Sequence, residues 1–278
     1  MENPTIVICG LPESGKTTFL AALWHLVTSR EIPTRLRFGS LRDGDAAHLN
    51  ALATRWRSAE VQDRTEVASK RLVAMNLVAT DARPTRVTFP DLSGEVYRRM
   101  WEERECETGI AEILRGGSAL LLFVHADRIQ APRWVVDETA LTRELGLPVG
   151  GQEQVPWHPR LAPTQVQIVD LLQMLRMPPL DIGPRRVVMM LSAWDRVAPE
   201  GRSPEAFLTE RLPLLDQYLR QKADEWTWCV YGVSAQGGDF ASEAERLRRI
   251  DTPSTRIRLI DGATESHDLT RPLEWLVE

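Results

Sequence analysis

Cysteine, clustered histidine and long apolar runs are what this chain has little of. Cys9, Cys106 and Cys229 are its only cysteines, and they lie far apart. That excludes a disulfide-built fold, offers no metal-ligand spacing and suits a reducing compartment. The five histidines, His25, His48, His125, His158 and His267, show no ligand spacing either. The longest apolar run, Ala119 to Val124, is far too short to span a bilayer. No G-x-S-x-G elbow occurs, so acyl-transfer chemistry has no footing. Internal repeats and low-complexity tracts are absent, and the N-terminus carries no signal pattern. The expectation is a cytoplasmic protein without a membrane span. The net charge of −5 argues against nonspecific nucleic-acid binding.

What is present is a chain of 278 residues, 43% hydrophobic and 26% charged, long enough to bury a large core. Gly10-Leu11-Pro12-Glu13-Ser14-Gly15-Lys16-Thr17 fits the phosphate-loop pattern G-x-x-x-x-G-K-S/T at every fixed position. Thr5 to Cys9 before it reads as a buried strand. Thr17 to Ser29 after it reads as a helix, with Phe19, Leu20, Leu23, Trp24, Leu26 and Val27 on one side. Strand, glycine loop and helix turn backbone N–H groups toward a phosphate at a helix N-terminus. In such a loop Lys16 contacts the β- and γ-phosphates and the Thr17 hydroxyl binds Mg²⁺.

Strand-like and helix-like segments alternate thereafter, which predicts a mainly parallel sheet with helices on both faces. Arg30 to Asp45 reads as a polar stretch, and Leu49, Leu52, Ala53 and Trp56 recur at helical spacing. Arg71 to Ala79 and Arg86 to Phe89 read as an antiparallel hairpin at the sheet edge. Glu95 to Leu114 is helix-prone, and Ala119 to His125 is a central strand, with His125 a hydrogen-bonded core residue. An insertion follows from about 127 to 162. Thr164 and Gln167 then read as a capping box. Arg186 to Leu191 and Trp226 to Val233 are further strands, and between them a helix opens at Ser203-Pro204 and kinks at Pro213. The basic stretch Arg246 to Arg258 reads as solvated surface. The remaining tryptophans, Trp101, Trp134, Trp157, Trp226 and Trp228, read as packing. Leu273 to Val277 reads as a short docking helix.

A second signal is Asp91-Leu92-Ser93-Gly94-Glu95, directly after a strand. A carboxylate at a strand end beside a phosphate loop can hold Mg²⁺, and a glycine three residues on lets its N–H reach a γ-phosphate. Later come Ser192-Ala193-Trp194-Asp195 and Ser234-Ala235, each at the end of a strand. In this order the four motifs resemble those of the Ras-like, translation-factor-related (TRAFAC) branch of phosphate-loop GTPases. More narrowly, Trp56, Arg64-Thr65 and Pro272-Leu273-Glu274-Trp275-Leu276 resemble bacterial double-GTPase proteins of conflict or defence systems.

The resemblance implies one α/β P-loop NTPase domain over residues 1–278, with a mainly parallel sheet, one antiparallel edge hairpin, and insertions at about 31–64 and 127–162. It implies GTP and GDP as ligands with Mg²⁺, and a molecular switch controlling partner binding. Protein partners would be an effector, an activating protein or a second GTPase. The nucleotide-binding set becomes Gly10, Glu13, Ser14, Gly15, Lys16, Thr17, Thr18, Gly94, Asp195, Ser234 and Ala235. By resemblance Asp195 accepts hydrogen bonds from guanine N1 and N2, and the backbone at Ala235 reads O6.

Three departures from the pattern matter. Ser192 and Ala193 stand where the base-reading motif N-K-x-D has its amide and lysine, and Trp194 is either a stacking substitute or simple packing. Glu95 replaces the water-orienting glutamine, which implies slow or partner-stimulated hydrolysis. The first-switch threonine has candidates in Thr34, Ser40, Thr65 and Thr80. Thr65 is favoured as a metal ligand with Thr17 and Asp91, and Arg64 is either a surface residue or an arginine acting in cis. Lys16, Glu95 and Arg64 thus form the catalytic set. Two other functions remain open: a non-catalytic nucleotide-binding scaffold in a larger complex, and a small-molecule phosphate-loop kinase whose lid is the 127–162 insertion.

Overall fold

The computed structural model describes residues 4–43, 46–61, 71–79, 84–91, 95–132 and 156–278. Its strands are β1 (Thr5–Gly10), β2 (Leu36–Asp43), β3 (Arg71–Ala79), β4 (Pro84–Asp91), β5 (Ala119–His125), β6 (Arg185–Ser192), β7 (Trp226–Ser234), β8 (Arg258–Asp261) and β9 (Thr264–Ser266). They form one sheet among the described residues, in the order β2-β3-β4-β1-β5-β6-β7-β8-β9. β1 runs parallel to β4 and β5, and β5, β6 and β7 are mutually parallel neighbours. This is an α/β phosphate-loop fold with β1 inside a five-stranded parallel core, between β4 and β5.

The helices are α1 (Lys16–Ser29), α2 (Ala46–Arg57), α3 (Glu95–Glu103), α4 (Thr108–Gly116), α5 (Thr164–Arg176), α6 (Trp194–Val197), α7 (Pro204–Arg211), α8 (Pro213–Gln221), α9 (Ala244–Arg248) and α10 (Arg271–Trp275). Successive strand residues face opposite ways, so β1 sends Ile6 and Ile8 to one face and Val7 and Cys9 to the other. Helices α1, α2, α9 and α10 cover the first face, where Phe19, Leu23, Trp56 and Leu273 pack. Helices α3 to α8 cover the second through Tyr97, Ile168, Phe207 and Leu215. Burial on both faces is why the central strands read as unbroken apolar runs. No helix among the described residues is long and apolar enough to cross a membrane.

Several expectations change. The sheet has two antiparallel margins rather than one edge hairpin: β2-β3-β4 on one side and β7-β8-β9 on the other. β2 lies inside the stretch that reads as polar. Its register shifts between Phe38 and Ser40 and again between Leu41 and Asp43, which destroys the two-residue alternation. The 95–114 segment is two helices, broken at Arg104, whose φ is +58°. Pro213 begins a new helix after Leu212 rather than kinking one. The capping box does not form. The Thr164 hydroxyl instead accepts from Gln130 N at 2.9 Å, and Gln167 Nε2 donates to the Ala162 carbonyl at 2.7 Å.

The basic stretch is solvated at Arg246, Arg248 and Arg249, as expected, but not at Arg256. Arg256 is 3% exposed and donates to the carbonyls of Trp56 and Arg57 at 3.1 and 3.2 Å, closing the C-terminus of α2. Arg248 donates to the Ser58 carbonyl at 2.6 Å. Trp226 and Trp101 are buried, whereas Trp157 is exposed.

Candidate functional site

β1 ends at Gly10, whose φ of +147° suits glycine. A Cβ there would stand 2.5 Å from the Phe123 carbonyl oxygen of β5. The loop then passes through Glu13 at φ +57° and Gly15 at φ +87°, and α1 begins at Lys16. No side chain caps the N-terminus of α1, and its first turn holds no acidic residue. The helix therefore presents main-chain N–H groups and a positive dipole end at the loop.

Lys16 Nζ donates to the carbonyls of Gly10 and Leu11 at 2.8 and 2.7 Å, and lies 3.1 Å from Ser14 Oγ. Burial lowers its pKa to about 8, against the opposing effect of Cys9. The Cys9 thiol is itself pushed up to about 12 by burial. Beneath this lysine, the hydroxyl of buried Tyr97 from α3 donates to the Ile8 carbonyl at 3.2 Å.

The end of β6 meets the phosphate loop directly. Buried Ser192 donates from Oγ to the Ser14 carbonyl at 2.9 Å. A Cβ on Gly15 would come within 3.1 Å of the Ser192 side chain. Ala193 then takes the left-handed conformation, φ +54°, and starts α6. Trp194 is buried, packs edge-to-face on Phe207 with centroids 5.4 Å apart, and lies against Gly232, where a Cβ would come 2.4 Å from its ring. Its role is packing, and the stacking alternative is discarded.

Beyond β7, buried Ser234 accepts at Oγ from Gly237 N at 3.1 Å, and Arg246 donates to the Gly237 carbonyl at the same distance. These three loops enclose a cleft of about 440 Å³ lined by Glu13, Gly15, Thr18, Ser192, Ala193, Asp195, Ser234 and Ala235. Residues that sequence reading did not assign also line it, among them Val61, His125, Arg128, Arg196, Gln236 and Asp239. Arg128 pairs with Glu13, and Arg196 bridges Asp127 at 3.3 Å and Asp239 at 3.2 Å. His125 is half-buried, and its Nδ1 has no hydrogen-bond partner among the described residues, contrary to the expected hydrogen-bonded core histidine. Burial lowers its pKa, with Arg128 adding to the effect. No local pattern marks these side chains; only the convergence of β1, β5, β6 and β7 brings them to one rim.

Asp91 ends β4. It lies three residues past the Val7↔Thr88 pair, just as Gly10 does in β1. Glu95 opens α3. Of Asp91 and Glu95 only the backbone is described, and Arg64, Thr65, Thr80 and Gly94 lie outside the described residues. Of the other switch candidates, Thr34 donates to the Leu36 carbonyl at 2.8 Å and Ser40 accepts from Asn76 at 2.9 Å, both at the β2 margin.

A family model described as Double-GTPase 1 matches residues 7–276. No curated protein matches the chain. Similar solved structures include a bacterial selenocysteine-specific elongation factor, EF-Sec, at 14% identity and TM-score 0.37, covering 89% of this chain. This chain spans only 28% of that factor's length. The Arl6 BBS3 small GTPase of Trypanosoma brucei, with bound GppNp, is 14% identical at TM-score 0.39, covering 92% of this chain and 99% of its own. The signal recognition particle receptor SRb-GTP/SRX complex of Chaetomium thermophilum is 13% identical at TM-score 0.42, covering 90% and 98%.

Proposed function

The chain belongs to the Double-GTPase 1 family, and from that premise we propose that it is a GTP-binding, GTP-hydrolysing switch. The observation that carries this reading is the single cleft joining the phosphate loop to the turns after β6 and β7. A triphosphate laid on the α1 N-terminus would take its phosphate contacts from Lys16 and the loop N–H groups. Its base would then reach Asp195 and the Ser234-Ala235 turn at the other end of the cleft.

Thr17, Asp91 and Thr65 are the residues of this chain that would hold Mg²⁺, and their hard oxygen donors suit it. The ion, when bound, would neutralise negative charge on the phosphates. The Gly94 N–H would meet the γ-phosphate, and Arg64 would offset charge developing on it. Glu95 would bring a carboxylate near the γ-phosphate, where repulsion at short range would make unaided hydrolysis slow. An activating partner, an effector or a second GTPase would then set the lifetime of the GTP state. Such a switch works in the cytoplasm, and its switch segments, about Thr65 and Asp91 to Glu95, would signal the nucleotide state to partners.

The test is direct titration with GTP, GDP and ATP in the presence of Mg²⁺, repeated on Asp195→Ala. Preference for GTP that disappears in the variant supports the reading, and equal affinity for ATP overturns it. Multiple-turnover GTP hydrolysis then separates a switch from a scaffold that retains its nucleotide unhydrolysed.

A further inference from the structure

The loop after β7 has an anchor outside its own neighbourhood. Trp56, near the end of α2, donates from Nε1 to the Ala235 carbonyl at 2.8 Å. Trp56 is 0% exposed and packed against two further side chains. The Arg256 guanidinium lies 4.4 Å from its ring centroid, and the His25 ring lies 5.0 Å away. The same Arg256 donates to the Trp56 carbonyl. Burial and these contacts restrict the indole and aim its single N–H at the Ala235 carbonyl.

That direction matters because a trans peptide is planar. Holding the Ala235 carbonyl on the Trp56 side sends the Gln236 N–H to the opposite side and fixes the plane between them. Ala235 and Gln236 both line the cleft. The other two anchors of this loop, Ser234 and Arg246, engage Gly237, one residue further on. Phenylalanine would fill much of the same apolar space at position 56, but it has no N–H to give.

We propose that Trp56 is a positioning residue for base selectivity, orienting the Ala235-Gln236 peptide so that this turn donates to a 6-oxo group on a bound purine. The assignment rests on the reading of the cleft as a guanine-nucleotide site. It adds a selectivity element from α2, on the opposite flank of the sheet from α6, which carries Asp195.

The test compares GTP with 2-aminopurine riboside triphosphate, which keeps the 2-amino group but lacks the 6-oxo group and the N1–H, so the change on substitution at position 56, rather than the wild-type ratio alone, reads the 6-oxo contact. Affinities are measured by calorimetry for the wild type, for Trp56→Phe, and for the protein with benzothienylalanine at position 56, a tryptophan isostere without the N–H. The expected result is a fall of about five- to tenfold in GTP affinity, the loss of one oriented hydrogen bond, with the analogue's affinity unchanged. An equal loss for both nucleotides, or a ratio unchanged in both variants, overturns the role of Trp56 and leaves the guanine site standing. A wild type that does not distinguish the two nucleotides overturns the 6-oxo reading itself, and with it this inference.

Discussion

Ser192 Oγ donates to the Ser14 carbonyl at 2.9 Å, so the turn after β6 is bonded to the phosphate loop rather than merely near it. The two residues are 178 positions apart in sequence. A short hydroxyl here does what its place in the sheet demands: it pairs a buried loop carbonyl and leaves room for Gly15.

Replacing Ser192 with alanine should therefore weaken nucleotide binding without unfolding the protein. An unpaired buried carbonyl costs about 1–3 kcal/mol, and part of that loosens the loop. The expected change is about three- to tenfold in GDP affinity, read by fluorescent-nucleotide titration. Circular dichroism should remain that of the wild type.

Lys16 predicts a pH dependence with a definite sign. Burial has lowered its pKa to about 8, so an increasing fraction is neutral as pH rises past that value. A phosphate favours the ammonium form, so binding above pH 8 takes up a proton. Affinity should be level near pH 7 and fall by up to about tenfold per unit between pH 8 and the ordinary lysine range. Titrations at pH 7, 8 and 9 in two buffers of different ionisation heat measure both the fall and the proton uptake. Lys16→Ala should remove nearly all binding.

His25 lies 3.2 Å from Glu31, yet burial outweighs that carboxylate and lowers the imidazole pKa. His125 shifts the same way. A histidine whose folded pKa lies below its unfolded value of about 6.5 binds fewer protons when folded. The stability it contributes is present above that value and is lost as pH falls through the folded pKa. Glu31, held down by the Ser254 N–H despite its burial, loses its share only in the more acidic carboxylate range. Thermal melts from pH 7.5 to 5 should thus show a falling Tm, and His25→Gln should flatten part of that slope.

Arg256 offers a contrast within one basic stretch. Its removal leaves the Trp56 and Arg57 carbonyls without their donor and strips the ring of its cation, at a cost of about 2–3 kcal/mol. Arg249, exposed and 3.9 Å from Glu245, should matter by less than about 0.5 kcal/mol. Urea denaturation of Arg256→Ala and Arg249→Ala compares them directly.

How far the sequence could be read follows from how local each signal is. Gly10, Gly15 and Lys16 carry their geometry in spacing alone, because a tight loop needs glycine at those dihedrals. β1, β5, β6 and β7 are legible as apolar runs because both faces are covered. β2 is not, since its bulges put residues out of phase, and β8 and β9 are too short and too polar to stand out. Arg246, Arg248 and Arg256 look alike on charge alone, yet the first two are exposed while Arg256 is buried and donates to the Trp56 carbonyl of a distant segment. Thr164 and Gln167 match a helix-start pattern, but Gln130 takes the threonine first. The contact between Trp56 and Ala235 spans 179 positions and leaves no trace in either neighbourhood.

Tyr97 ties α3 to β1. Its hydroxyl is bonded to Ile8, two residues before the phosphate loop begins, and its ring is buried under the sheet just after the helix starts. The far end of the helix, where Arg99 and Glu103 pair at 3.1 Å, stands exposed. The phosphate loop and the first turn of α3 therefore hang from one strand: whatever fixes the end of β1 fixes both.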